Sequence, residues 1–128
     1  MSLLGSKELH EVIDNGYLDA LHENVNAASI DIRIGDTILL EGRADGIVDI
    51  DAKENLNWEE VKIPDDGIVI PPGGFFLAHS VEEFNLPDTI SSQFILRSSM
   101  ARVGMNHLMA GWADAGFHKS KLTFEFHN

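Results

Sequence analysis

Strict alternation of side-chain type is the feature that most restricts what this chain can become. From Leu122 to Phe126 every second residue is large and apolar, with Thr123 and Glu125 between them. A period of two has one regular solution, an extended strand with one buried and one open face. Ser29 to Gly35 repeats the pattern, with Ile30, Ile32 and Ile34 on one face and Asp31 and Arg33 on the other. Thr37 to Glu41 and Ile90 to Leu96 read as further strands, and Gly67 to Ala78 as two strands around the turn Pro71-Pro72-Gly73-Gly74. Helical spacing is confined to the start, where Leu9, Val12 and Ile13 share a face. There Ser6 is placed to cap, Glu8 lies in the first turn and Gly16 can end the helix. Ser80-Val81-Glu82-Glu83 has capping-box spacing, which predicts a short helical turn ahead of Pro87. Short strands, Gly/Pro turns and one N-terminal helix predict a mainly β fold, a barrel or a double-sheet roll.

Charge and composition remove whole classes of function. A length of 128 residues is that of one domain. Nine basic residues stand against 21 acidic ones, a formal charge of -12. That sign disfavours nucleic acid and anionic membranes as partners, and confines small anions to wherever Arg and Lys cluster. The lack of cysteine excludes disulfides, a thiol nucleophile and Cys-ligated zinc. No apolar run approaches the ~18 residues of a membrane span, and the apolar part of Met1 to Gly5 is too short for a signal peptide. A soluble, cytoplasmic protein is the expectation. The acidic stretch Asp45 to Asp66 loosely echoes a calcium loop through Asp49, Asp51, Asn55, Asn57 and Glu60. Glu54 stands where such a loop needs glycine and Lys53 at a ligand position, so a solvated loop or edge hairpin is the better reading.

Common catalytic signatures are missing: there is no Walker A loop, GxGxxG, GxSxG or HExxH. His10, His22, His79, His107, His118 and His127 have no metal-ligand spacing. The informative stretch is Arg97-Ser98-Ser99-Met100-Ala101-Arg102, two arginines and two serines in a chain short of positive charge. Arg forks and Ser hydroxyls suit phosphate; on residue types alone the plainer reading is a helix cap with two ion-paired arginines. A second stretch runs from Gly111 to Phe117, with Asp114 ahead of a glycine turn and Trp112 and Phe117 flanking it. Both aromatics read as core packing on type alone. Glu125, on the open face of its strand, points either to solvent or into a cleft.

Taken together, Ala28 to Gly35, Pro72 to Ala78, Arg97 to Gly104, Ala110 to Phe117 and Thr123 to Glu125 resemble the dCTP deaminase family in order and spacing. The resemblance implies a distorted jelly-roll β-barrel of the dUTPase type with a short N-terminal helix, assembled as a homotrimer with active sites between subunits. It implies hydrolytic deamination of dCTP to dUTP. The Asp-Ala-Gly form at Asp114 is similar to that of bifunctional members, which carry dUTP on to dUMP. Residue by residue, Glu125 matches the proton-shuttling base, and Ser98 and Arg102 match the groups that orient water and the glutamate. Arg97 and Ser99 would face phosphates, with Met100 and Ala101 completing the stretch. Asp114 would meet the deoxyribose hydroxyl, and Thr123 and Phe124 would read the pyrimidine through their backbone. Asp31 matches a motif near the magnesium that travels with the triphosphate.

No zinc is implied: a carboxylate can take a proton from water and return it to the ring and the leaving amine, and Arg102 beside Glu125 would keep that carboxylate ionised. His107 and Leu108-Met109-Ala110 match the region the family uses for dTTP inhibition. Family members continue past the equivalent of Asn128, so residues 1–128 read as a single domain lacking the family's C-terminal segment. The turn after Phe117 is one residue longer than the family's, and the extra residue is placed in the loop, which keeps Glu125 on its face. Other readings are dUTP cleavage alone, or a non-catalytic nucleotide-binding trimer.

Overall fold

The computed structural model describes residues 2–42, 46–53 and 57–128. Helix α1 spans Ser6–Asp14, and a 3₁₀ turn spans His22–Asn24. Strands β1 (Ile34–Glu41), β2 (Trp58–Lys62), β3 (Phe75–Asn85) and β4 (Ser92–Gln93) follow, then helix α2 (Ser98–Ala101), β5 (Trp112–Ala113) and β6 (His118–His127). The long strands form one antiparallel sheet in the order β2-β1-β3-β6. β4 and β5 form a second, two-stranded sheet. None of the helices is long and apolar enough to cross a membrane, among the described residues.

Alternation in β6 decides where the core lies. Leu122, Phe124 and Phe126 are buried, opposite Phe76 and Ala78 of β3. Phe94, one residue past β4, lays its ring 4.5 Å from that of Phe124 and 6.1 Å from Phe126, which joins the two sheets into one apolar layer. α1 contributes Val12 to the core and stops as its sequence predicts. Gly16 takes φ +70, Tyr17 N–H donates to Val12 O and Gly16 N–H to Ile13 O, the paired bonds of a Schellman end.

Several local expectations give way to tertiary structure. Gly5, not Ser6, is the N-cap of α1, and the Glu8 carboxylate accepts from its N–H at 3.1 Å. Residues 29–33 are outside the ladder, which begins at Ile34; Ile30 makes a lone bridge with Val25, and Ile34 is 42% exposed. Residues 67–70 do not join a strand, and of Ile90–Leu96 only Ser92–Gln93 does. The predicted helical turn at Ser80-Val81-Glu82-Glu83 is a strand instead, the middle of β3. Period-two burial continues through it, with Ser80 and Glu82 buried between Ala78 and Phe84. A capping box needs free N–H donors at a helix start, whereas here the segment lies between β1 and β6 and the ladder takes those donors.

The segment after Phe117 is strand rather than free loop. β6 already begins at His118, and the β3–β6 register shifts opposite Phe84 and Asn85, where Lys119 takes φ 48. Lys119 is therefore a bulge at the start of the strand. The acidic stretch contains β2, at the edge of the sheet, and Asp49 uses its carboxylate to accept from Ala52 N–H at 2.8 Å. Asp45, Glu54 and Asn55 lie outside the described residues.

Candidate active site

The open face of β6 borders a cavity of ≈ 450 Å³, lined by Met109, Ala110, Gly111, Trp112, Phe117, Lys121, Leu122, Thr123 and Glu125. Lys121, Thr123 and Glu125 reach it because they alternate with the core residues Leu122, Phe124 and Phe126. The Oε2 atom of Glu125 is buried and has no hydrogen-bond partner. A carboxylate oxygen withdrawn from water without a donor is costly, so this atom is available to whatever proton-bearing group enters the cavity.

β5 builds the opposite wall. Gly111 is needed there for close approach: a Cβ at this position would lie 2.7 Å from Phe94 O and 2.9 Å from Phe94 Cβ. Phe94 N–H donates to Gly111 O at 2.6 Å, which locks the wall to the core aromatic. Trp112 is 58% exposed, and its Nε1–H donates to Asp114 Oδ1 at 2.8 Å. Trp112 is thus cavity wall rather than core, while Phe117 packs against the core edge-on to Phe84 at 6.0 Å and also lines the cavity. Asp114 opens a turn in which Phe117 N–H donates to its carbonyl and Gly116 takes φ +82. Leu108 and Met109 lead into the cavity with φ 54 and 60, a left-handed pair without glycine. His107 buries Nε2 without a partner, its ring edge-on to Phe94 at 5.3 Å.

The Arg-Ser stretch is elsewhere on the chain. Arg97 is the N-cap of α2, Ser98, Ser99, Met100 and Ala101 form the helix, and Arg102 is its C-cap. All six are exposed. Arg97 pairs with Asp31 at 3.3 Å. Among the described residues the Ser98, Ser99 and Arg102 side chains make no hydrogen bond or ion pair, with Glu125 or any other group. Beneath α2 lies a separate apolar cavity of ≈ 240 Å³, bordered by Arg97, Met100, Phe94, Phe124 and Phe126 among others. Glu125 and Thr123 therefore border one cavity, and Arg97 and Met100 another, in a single chain.

Comparison with known proteins identifies the family. A profile of the dCTP deaminase-like family matches residues 3–128. The chain belongs to that family. It is 36% identical over 127 residues to the dUMP-forming dCTP deaminase of Persephonella marina, covering 98% of this chain and 67% of that protein. The dUMP-forming dCTP deaminase of Methanospirillum hungatei is 33% identical over 125 residues, covering 94% of this chain and 67% of the relative. The fold matches a crystal structure of 2'-deoxycytidine 5'-triphosphate deaminase from Agrobacterium tumefaciens with a TM-score of 0.73 at 22% identity, over 96% of this chain and 40% of the other. The chain thus spans about two thirds of the length of these curated relatives and less of the solved chain. The mainly β, dUTPase-like architecture expected from the sequence is the one observed.

Two cavity residues escaped the sequence reading. Lys121, just ahead of the alternation read from Leu122, shares the open face with Thr123 and Glu125, and extending that alternation two residues back from Thr123 finds it. Trp112 carried no local sign of exposure. Among the described residues no group of three or more His, Asp or Glu side chains is placed to hold a metal ion.

Proposed function

We propose that this protein hydrolyses dCTP, replacing the 4-amino group of cytosine by oxygen, and that dUMP is the final product, as for the relatives' named activity. The observation that carries the reading is the unpartnered, buried Oε2 of Glu125 in a cavity walled by Trp112 and Phe117. A planar pyrimidine fits such a wall, and the carboxylate meets the polar edge that reacts. Glu125 takes a proton from water as the oxygen bonds to C4, and delivers it to N3. A second proton passes through the same carboxylate to the amine, the C4–N bond breaks and ammonia leaves. The uracil nucleotide then loses diphosphate when water cleaves the bond between the α- and β-phosphates. Magnesium enters on the triphosphate as part of the substrate.

Phosphate binding falls to the exposed Arg97, Ser99 and Arg102, and water orientation to Ser98 and Arg102. Because these residues do not share a cavity with Glu125 in one chain, the reading requires a second copy to supply them, as in a trimer with sites between subunits. Asp114 meets the deoxyribose hydroxyl, and the backbone of Thr123 and Phe124 reads the pyrimidine edge.

The test is incubation with dCTP and Mg²⁺, followed by chromatography of the nucleotides. dUMP formation supports the reading, and Glu125→Gln is expected to lower turnover about 10²- to 10⁴-fold while leaving the fold intact. Cleavage of dUTP with no action on dCTP, or binding without turnover, overturns it.

A further inference from the structure

Glu82 is the most deeply buried ionisable side chain described, 0% exposed, and no step above uses it. Its two oxygens serve one neighbour. Oε1 accepts from Arg33 Nε at 2.8 Å and Oε2 from the Arg33 backbone N–H at 3.0 Å. The opposite link is also made, since Val81 N–H donates to Arg33 O at 2.9 Å. These bonds hold Arg33 just before the β1 ladder begins, so the carboxylate replaces a missing strand partner there, while Asp31 N–H donates to Asn24 O at 2.9 Å and Ser29 O accepts from Asn26 N–H at 2.7 Å. On the far side, Ser80 Oγ donates to Glu82 O at 2.7 Å and accepts from Leu122 N–H at 2.9 Å, which fastens Glu82 to β6.

A charge placed this deep is expensive to desolvate, and a well-packed apolar residue would serve stability as well. What the charge adds is direction. Two residues before Arg33, Asp31 carries Oδ2 to 3.3 Å from Arg97 Nη1, at the entrance to α2. We infer that Glu82 is a positioning residue: by fixing Arg33 and the backbone around it, it sets Asp31, and through Asp31 it aims the Arg97 guanidinium for phosphate. This inference rests on the dCTP reading, in which Arg97 faces phosphate.

The experiment is a double-mutant cycle on the full chain, with KM and kcat for dCTP measured for Glu82→Gln, Arg97→Gln and the pair. Glu82→Gln is expected to raise KM about tenfold with kcat within about twofold, the signature of lost binding rather than lost chemistry. In the pair, KM is expected to match that of Arg97→Gln alone. A wild-type KM for Glu82→Gln, or effects that multiply in the pair, overturns the inference. Should Glu82→Gln fail to fold, Asp31→Asn goes through the same cycle, and multiplicative effects there are equally fatal. Turnover by the unsubstituted protein is measured first. Its absence overturns the dCTP reading itself, whereas turnover with uncoupled variants overturns only the role of Glu82.

Discussion

Replacing Gly111 by alanine tests whether close approach of β5 to Phe94 shapes the cavity. The new methyl would meet Phe94 O at 2.7 Å and Phe94 Cβ at 2.9 Å, shorter than any ordinary carbon contact. Phe94 cannot yield cheaply, because its ring is held by Phe124, Phe126 and His107 and its N–H is bonded to Gly111 O. Overpacking of this kind costs about 1–3 kcal/mol. The stiffer unfolded chain returns about 0.4–1 kcal/mol, and no left-handed φ at Gly111 adds to the loss. The net is about 1–2 kcal/mol, or roughly 5 °C in Tm for a chain of this size. Gly35→Ala is the control: its nearest atom, His79 O, is at 3.6 Å, so Tm should hold or rise slightly. Thermal unfolding at fixed protein concentration reads both, and dCTP turnover should fall in Gly111→Ala because that wall also faces Glu125. A Gly111→Ala protein as stable as wild type, or equal losses in both variants, would refute the packing argument.

Three further outcomes follow from the geometry. Ser80→Ala leaves Leu122 N–H without its buried acceptor and should cost about 1–3 kcal/mol in urea unfolding; an unchanged midpoint would mean that water or a shifted strand replaces the hydroxyl. Lys119→Gly relieves a left-handed φ of 48 while keeping the N–H bond to Asn85 Oδ1, and should stabilise by about 0.5 kcal/mol. A lower Tm would place the value of Lys119 in its side chain. Glu125→Gln, though impaired in turnover, should unfold within about 2 °C of wild type, since the oxygen concerned has no partner to lose.

Much of this protein is legible in its residue order wherever one periodicity acts alone. The alternation from Leu122 to Phe126 requires that Glu125 face away from the core, whatever it packs beside, because pleating is a property of the backbone itself. Gly16 ends α1 for an equally local reason, a left-handed turn that glycine adopts without strain. Matters differ where two local signals compete. Ser80 to Glu83 carries a helix-start signal, yet neighbours on both sides recruit its backbone into β3, and Glu82 finds its partner at Arg33, 49 positions away. Lys119 bulges out of the ladder where Asn85 stands opposite to receive its N–H. The separation of the candidate residues was likewise decided by tertiary structure. The family resemblance named Arg97, Ser98, Arg102 and Glu125 as candidates, but the fold turns Glu125 and α2 to different cavities. Side-chain direction within one element follows from its repeat, whereas distance between elements depends on pairings whose free energy exists only once distant segments meet.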